Sequence, residues 1–212
     1  MRRAKKKKFP GAAVFMIIVL IVAIAAVLAK TAFDYIEWRW LLRTHPLEFT
    51  EYVQKYAEEY ELDEFLIYAV IRTESSFNPD AVSSMGARGL MQIMEETFSW
   101  LSRYRLFERD MVFDDMFFPD DNIRYGCYLI RYHLNQYGEN TEHAMAAYFA
   151  GDQNMNRWLL AGEITDPDTN HYINKVKTAY DNYIRLYRGE SDEGKYKTNK
   201  IFSNIKYIHQ FH

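Results

Sequence analysis

Cysteine is almost absent from this 212-residue chain, because Cys127 is the only one. A single cysteine excludes an internal disulfide, and its place in an apolar helical pattern predicts a buried, unreactive thiol. The six histidines are scattered, and the spacing of His209 and His212 is only a weak metal-binding pattern. The sequence also lacks a glycine-rich phosphate loop and a Gly-x-Ser-x-Gly nucleophile motif. We therefore expect no metal and no cofactor.

Basic charge is scarce beyond the first eight residues. Residues 1–8 hold six basic side chains and no acid, which leaves 20 of the 26 basic residues against all 29 acidic ones. A nucleic-acid partner requires a basic surface that can neutralise phosphates. The charge balance of the remaining chain therefore argues against nucleic acid as a partner.

Long apolar runs are limited to one, which lies next to the basic segment. Phe9 to Ala29 contains 21 residues without a charge, close to the roughly 20 that span a bilayer and more than the roughly 7–15 of a signal-peptide core. We predict a single-pass anchor at 9–29, with residues 1–8 cytoplasmic and the rest of the chain outside. Cleavage after Ala29 is the alternative. Residues 30–45 form a juxtamembrane linker whose tryptophans fit an interfacial belt or a helix that packs on the domain.

The remaining pattern is helical, and no convincing strand occurs before residue 189. Apolar residues recur at helical spacing, and capping or breaking residues separate the segments. These features predict a mainly α domain at 46–189, followed by a tail at 190–212 that we do not assign. The predicted helices are Pro46 to about Tyr60, one capped by Asp63 that ends near Glu74, Leu90 to Arg103, one capped by Asp120 or Asp121 that ends at Gly138, Thr141–Ala150, Asn154–Leu160 and His171–Tyr187.

Glu74 is the acid with the most unusual surroundings. It follows Val70 by four residues and Ile71 by three, so it shares the apolar face of its helix. Partial desolvation there raises the pKa of a carboxyl group, and the negative end of the helix dipole acts in the same direction. A carboxyl group that stays protonated near neutral pH can serve as a general acid.

Four motifs in order resemble one known family. They are Glu74–Pro79 with Ser83–Gln92 and Thr97, then Asn122–Gly126, Ala146–Gly151 and Tyr172–Val176. Together they resemble the soluble-lytic-transglycosylase-type catalytic domain over about residues 48–188. The resemblance implies a lysozyme-like helical domain with a cleft, related to goose-type lysozyme. Two positions depart from the family: Phe149 replaces a usual asparagine, which puts substrate contacts there in question, and Glu95 replaces a frequent proline.

The resemblance also implies which residues contact the substrate. Ser83, Gln92, Met94, Tyr148 and Tyr172 would line the groove that binds the sugars. Ser83 could instead cap the loop, Met94 could pack in the core, and either tyrosine could be a core residue. We interpret Gln92 as facing the cleft, because it is a long amide within an apolar run.

Other residues near Glu74 have supporting interpretations. Ser75 either orients Glu74 or caps the end of its helix. Gly86 and Gly89 allow tight turns or close approach of a ligand. The acids at positions 80, 95 and 96 are interpreted as surface or capping groups.

One acid without a partner suits a reaction in which the substrate supplies the nucleophile. The resemblance implies that Glu74 protonates the oxygen between N-acetylmuramic acid and N-acetylglucosamine in peptidoglycan glycan strands. The 2-acetamido group would assist departure, and Glu74 would then deprotonate the 6-hydroxyl to leave a 1,6-anhydro end. A hydrolysing muramidase of the same fold and a catalytically silent wall-binding scaffold are the alternatives. The sequence does not identify any envelope-assembly partner.

Overall fold

A continuous apolar helix makes up the first of two structural units. The computed structural model describes residues 11–108 and 110–188, which divide into a unit ending at Thr44 and a unit beginning at His45. Helix α1 (Gly11–Thr44) is the one helix in the described part of the chain that is long and apolar enough to cross a membrane. It continues through residues 30–44, where the sequence predicted a linker. An i,i+4 ion pair of 2.7 Å between Lys30 and Asp34 supports this extension.

The second unit is built from short helices, and the mainly α prediction is confirmed. Between 45 and 188, extended pairing in the described residues is limited to isolated bridges that Arg88 makes with Val82 and Ile93. The basic segment 1–8 and the tail 190–212 lie outside the described residues. The helices are α2 (Thr50–Glu59), α3 (Glu64–Glu74), α4 (Glu95–Tyr104), a 3-10 turn (Phe113–Phe117), α5 (Pro119–Gln136), α6 (Thr141–Ala150), α7 (Asp152–Ala161), α8 (Pro167–Tyr183) and a π turn (Ile184–Arg188).

Helix α3 forms the centre of this unit. Asp63 caps its N-terminus by accepting a 2.9 Å hydrogen bond from the backbone N–H of Phe65, as the sequence predicted. Every residue from Phe65 to Ile71 is buried, so the helix is enclosed on all sides. It packs against α2 and α8, while α6 packs against α5, α7 and α8. Cys127 on α5 is buried, and burial raises the pKa of its thiol well above the ordinary value, which agrees with the predicted inert role.

The predicted start of the first domain helix at Pro46 is wrong, because α2 begins at Thr50. The carbonyl of Pro46 accepts a 3.1 Å hydrogen bond from the Tyr183 hydroxyl, and Phe49 adopts a left-handed φ of 57°. Contacts with α8 therefore keep this segment irregular, although proline favours a first helical position.

Other predicted helix starts are also wrong. Helix α8 begins at Pro167 rather than His171, because the Asp166 side chain caps it by accepting a hydrogen bond from the backbone N–H of Thr169. Helix α4 begins at Glu95 rather than Leu90, since Gln92 has a φ of 50° and residue 93 pairs with Arg88. Helix α5 begins with Pro119 at its first position, and Asp120 instead accepts a 2.7 Å hydrogen bond from the Tyr56 hydroxyl. The turn that pairs residue 93 with Arg88 thus delays α4, and the local preference of proline for a first helical position places Pro119 at the start of α5.

Candidate active site

Glu74 is the last residue of α3, where the chain leaves the core. The backbone N–H of Ser75 still bonds to the Ile71 carbonyl, and the Ser75 hydroxyl donates to the same oxygen at 3.2 Å. Ser76 and Phe77 then take left-handed φ values of 52° and 66° and turn the chain away. Ser75 therefore bonds to the end of the helix rather than to Glu74, and Glu74 lies at the rim of the core.

The Glu74 carboxyl is desolvated and has one hydrogen-bond donor among the described side chains. Burial raises the pKa of Glu74 from 4.5 to about 7, and the hydrogen bond from Tyr172 opposes part of that rise. The Tyr172 hydroxyl donates to Glu74 Oε1 at 2.7 Å. Near neutral pH this group can therefore both give and accept a proton.

A wall of aromatic side chains from α6 and α8 stands beside Glu74. Tyr172 is buried, and its ring stacks on Phe149 with centroids 4.7 Å apart and planes 19° apart. The Tyr148 hydroxyl donates to the Met91 carbonyl at 2.7 Å. Burial, and next the negative charge of Glu74, raise the pKa of the Tyr148 phenol well above its ordinary value, so Tyr148 is close to the acid and stays neutral. The structure thus brings together Glu74, Tyr148 and Tyr172.

An irregular loop of residues 78–94 meets this wall where the Tyr148 hydroxyl bonds to the Met91 carbonyl. The Ser83 side-chain oxygen accepts hydrogen bonds from the backbone N–H groups of Ala87 at 3.0 Å and Met85 at 3.3 Å. The Gln92 side-chain nitrogen donates to the carbonyls of Ala81 at 3.1 Å and Gly89 at 2.9 Å. Both side chains therefore hold the loop in shape, which is the capping role considered for Ser83. Their contacts with sugars stay predictions.

Both predicted glycines adopt left-handed conformations, with φ of 85° at Gly86 and 76° at Gly89. Space surrounds Gly86, whereas a Cβ on Gly89 would collide with the Met116 carbonyl and the Asn122 amide. Gly89 therefore permits close approach of another part of the protein, and Gly86 permits a turn. Met94, at the start of α4, is 37% exposed and so is not a core residue.

Asn122 is a structural element of the site that was not among the residues predicted to form it. Its fully buried side chain accepts from the Met91 N–H at 2.7 Å and donates to the carbonyls of Arg88 at 2.9 Å and Met116 at 2.8 Å. These bonds fix the loop onto α5 and place the Met91 carbonyl where Tyr148 meets it. The only sequence indication was that Asn122 opens one of the four motifs.

The neighbouring acids lie outside this arrangement. Asp80, Glu95 and Glu96 are exposed, as the surface interpretation predicted. Within residues 11–108 and 110–188, no group of three or more histidines, cysteines or acids could hold a metal ion. Among the described residues, the candidate chemistry therefore concentrates on one carboxyl and two phenols.

The family is decided by a domain model described as "Transglycosylase SLT domain", which matches residues 51–171, more than half of the chain. The chain belongs to this family. The resemblance predicted from the four motifs is thus confirmed, and the matched range begins in α2 and ends one residue before Tyr172.

Curated relatives of this SLT domain carry related names. The soluble lytic murein transglycosylase of Escherichia coli K12 is 29% identical over 179 residues, which is 79% of this chain and 27% of that protein. The membrane-bound lytic murein transglycosylase C of Serratia proteamaculans is 38% identical over 90 residues, 40% of this chain and 24% of that protein. This chain therefore spans about a quarter of the length of either relative.

Solved structures show the same fold. The 70-kDa soluble lytic transglycosylase of Escherichia coli matches with a TM-score of 0.65 and 29% identity, over 76% of this chain and 30% of that one. An inactive glutamate-to-glutamine mutant of the lytic transglycosylase Slt of Pseudomonas aeruginosa matches with a TM-score of 0.63 and 27% identity, over 69% of this chain and 25% of that one. The lysozyme-like fold predicted from sequence is confirmed.

Proposed function

We propose that this chain is a membrane-anchored peptidoglycan lytic transglycosylase, which cleaves the β-1,4 bond between N-acetylmuramic acid and N-acetylglucosamine without consuming water. The observation that carries the proposal is the Glu74 carboxyl, whose pKa is raised to about 7 while the Tyr172 hydroxyl holds Oε1 at 2.7 Å. The names of the relatives, which refer to murein, support the substrate class.

The reaction needs one group that acts first as an acid and then as a base. Protonated Glu74 gives its proton to the glycosidic oxygen, and the substrate's 2-acetamido group assists departure of the leaving sugar. The Glu74 carboxylate then takes the proton of the 6-hydroxyl as that oxygen bonds to C1, which forms the 1,6-anhydro end. The Tyr172 hydroxyl stabilises the carboxylate between these steps, because its hydrogen bond favours the charged form.

The surroundings of Glu74 favour this reaction over hydrolysis. Most glycosidases use two carboxyl groups, and an inverting enzyme places them about 6.5–9.5 Å apart. The acids near Glu74 in sequence, Asp80, Glu95 and Glu96, are exposed, and the described side chain that bonds to the Glu74 carboxyl is the Tyr172 phenol rather than an acid. The desolvated acid also argues against the alternative of a catalytically silent scaffold, since a wall-binding role does not need it.

The proposed location follows from α1. Its length and apolar composition fit a membrane span, and the six basic residues before it favour a cytoplasmic N-terminus. The SLT domain would then lie outside the membrane, where its polymeric substrate is.

The test is digestion of purified peptidoglycan by the 212-residue chain in detergent micelles, with the new ends identified by mass spectrometry. We expect 1,6-anhydromuramyl ends. Reducing ends alone would overturn the lyase mechanism and favour the muramidase. Wall binding without any new ends would favour the scaffold.

A further inference from the structure

A buried histidine on α5 has no part in the proposed reaction. His133 is 4% exposed, and its Nδ1 lies 3.1 Å from Asp152 Oδ1. This nitrogen has no other partner among the described atoms. The Tyr137 hydroxyl, one helical turn further along, donates to the same carboxylate oxygen at 2.9 Å. These three side chains join Asp152 to α5, and we call them the His133 cluster.

The His133 cluster holds Asp152 as a carboxylate. Burial by itself would raise the pKa of Asp152, but the contact with His133, the charge of that ring and the bond from Tyr137 together hold it below its ordinary value. Burial, and next the bond to Asp152, raise the pKa of the Tyr137 phenol, so Tyr137 remains a donor. The rings of Tyr132 and Tyr137 pack on the His133 imidazole, with centroids 5.4 Å and 6.2 Å away. Breaking the cluster would therefore leave a partly buried charge without its partners.

Asp152 is the first residue of α7, and one glycine separates it from α6. Gly151 has a φ of 82° and a ψ of 156°, a conformation that is essentially limited to glycine. No side chain caps the N-terminus of α7, since its N-cap is this glycine. The Asn154 side chain bridges the corner by donating to the Ala150 carbonyl at 2.6 Å. That bond links α7 to α6, and the His133 cluster adds the link from α7 to α5.

The rest of α7 is weakly anchored. Met155 is the one buried residue of this helix, and Leu160 near its end is 91% exposed. Helix α7 ends at Gly162, which has a left-handed φ of 82°. An element with few buried apolar contacts belongs to the less stable part of a fold. The position of α7 therefore depends more on polar contacts than the position of the enclosed helix α3 does.

Helix α7 forms one side of a groove of about 440 Å³ beside the aromatic wall. Asn154, Arg157 and Trp158 of α7 line this groove, together with Phe149 and with residues of the loop that leads to α8. The lining carries both a guanidinium, on Arg157, and a carboxylate, on Asp166. A displacement of α7 would therefore change the shape of the groove and the place of its cation.

The hydrogen bond to the catalytic acid lies outside α7. Tyr172 of α8 donates to Glu74 at the end of α3, and Phe149 of α6 stacks on Tyr172. A displacement of α7 would leave this bond in place. The His133 cluster is therefore expected to act on binding and not on the proton transfer.

We propose that His133 and Asp152 are positioning residues, which hold α7 against α5 and so set the width of the groove that α7 borders. This inference rests on the proposed function, since it concerns how tightly the same glycan strand is held beside Glu74. Neither residue needs to touch the substrate. Loss of the pair raises KM and leaves kcat nearly unchanged, because the bond from Tyr172 to Glu74 does not involve α7.

The first test separates KM from kcat for cleavage of soluble, uncrosslinked glycan strands by the 212-residue chain in detergent micelles. Asp152→Ala and His133→Phe should each raise KM about fivefold and change kcat by less than about twofold. The double variant should also raise KM about fivefold, since both changes break one contact. Asp152→Asn keeps an oxygen that can accept from both partners, so it should restore most of the affinity. Glu51→Ala is the matched control, because Glu51 is an exposed acid in the first turn of α2.

The second test follows α7 directly and does not require cleavage. Hydrogen exchange of the backbone amides of α7 should become about tenfold faster in the Asp152→Ala protein, and by a larger factor than exchange in α3. A merely structural role would instead speed exchange in both helices equally. Wild-type exchange rates in α7 would overturn the inference.

The outcomes separate this inference from the proposed function. If the wild-type protein forms anhydro ends and the Asp152→Ala protein keeps its KM or loses only kcat, the positioning role is refuted and the lyase proposal stands. If the wild-type protein cleaves nothing, calorimetric binding of a hexasaccharide of N-acetylglucosamine replaces KM. An affinity about fivefold weaker in the Asp152→Ala protein then supports the positioning role while the lyase proposal fails. Thermal unfolding identifies any variant that does not fold, and the partly exposed position of Asp152 makes its variants the least disruptive.

Discussion

The two sides of the Glu74 site are built by different kinds of interaction. The loop of residues 78–94 is held mainly by side chains bonded to backbone groups, including those of Ser83, Gln92 and the buried Asn122. The wall from α6 and α8 is held by packed rings, and its phenols point to the acid and to the loop. The loop is therefore specified by hydrogen-bond geometry, and the wall by burial.

Because the two sides are held differently, substitutions in the loop and in the wall should have different effects. When a side chain in the loop is removed, the backbone group that it bonded must bond to water instead. The free energy of unfolding then falls by about 1 kcal/mol. A change in the wall alters the environment of the Glu74 proton directly. We therefore expect substitutions in the loop to act on stability and binding, and substitutions in the wall to act on the pH dependence of catalysis.

The largest expected effect comes from changing Glu74 itself. Glu74→Gln keeps the shape of the side chain but removes the transferable proton, so we expect the rate of wall cleavage to fall about thousandfold. The measurement is release of soluble fragments from purified peptidoglycan. Glu96→Gln, at an exposed position, is the control and should keep wild-type activity. Full activity in the Glu74→Gln protein would remove the basis of the proposed mechanism.

Substitutions at two glycines test how closely the loop packs against Met116 and Asn122. Gly86 and Gly89 share positive φ values, but only Gly89 faces the Met116 carbonyl and the Asn122 amide. Gly86→Ala should lose about 1 kcal/mol of unfolding free energy from backbone strain. Gly89→Ala should lose about 3 kcal/mol more, because the buried clamp must move. If urea unfolding shows equal losses of unfolding free energy for the two variants, the Met116 carbonyl and the Asn122 amide can move away from residue 89 at little cost.

The same acid also makes stability depend on pH. The pKa of Glu74 is about 7 in the folded chain against an ordinary 4.5, so the folded state retains a proton that the unfolded state loses between these values. Stability from this group therefore declines as pH rises from 4.5 to 7, by about 2 kcal/mol after allowance for partial exposure. Glutamine carries no charge at any pH, so it avoids the cost of burying an ionised carboxylate. Unfolding at pH 4 and pH 8 should show Glu74→Gln gaining that amount relative to wild type only at pH 8, and an unchanged difference would contradict a desolvated acid.

Much of the wall was predictable from sequence, and much of the loop was not. Glu74 stands on an apolar helical face that local spacing reveals, and the motif resemblance led to Tyr148 and Tyr172. The apolar residues that begin at Leu90 predicted a helix. They are buried, but the backbone there forms turns, and α4 begins only at Glu95. The contact that decides this is the bond from Met91 to Asn122, which is 31 residues away. Local patterns carry no information about such a partner.

The predicted start of the first domain helix was wrong for the same reason. Pro46 has the local preference for a first helical position, but its carbonyl is bonded by Tyr183 from the far end of the domain. Conversely, Asp63 was predicted correctly because its partner, the N–H of Phe65, is two residues away. The fold class depends on many such local preferences together, and so it could be predicted although individual boundaries could not.

A substitution in the wall should change the pH dependence of activity. The hydrogen bond from Tyr172 lowers the pKa of Glu74, so Tyr172→Phe should raise it and move the alkaline limit of activity to higher pH. We also expect kcat at pH 7 to fall about tenfold, because the acid loses the bond that orients it. Tyr148→Phe is the comparison, since its hydroxyl bonds to the Met91 carbonyl rather than to Glu74, and it should leave that limit in place. If the alkaline limit of the Tyr172→Phe protein stays at the wild-type pH, the Tyr172 hydroxyl does not influence the pKa of Glu74.

The smallest expected effect decides between the two interpretations of Ser83. If Ser83 only caps the loop, Ser83→Ala leaves the N–H groups of Met85 and Ala87 to water and costs about 1 kcal/mol of stability, while sugar binding by the properly folded protein changes little. If Ser83 also contacts the substrate, KM rises severalfold and Ser83→Thr, which keeps the hydroxyl, restores it. Ser84→Ala, at the exposed neighbouring position, controls for a general effect on the loop. An unchanged free energy of unfolding in the Ser83→Ala protein would contradict both the capping role and the view that this side of the site depends on hydrogen bonds.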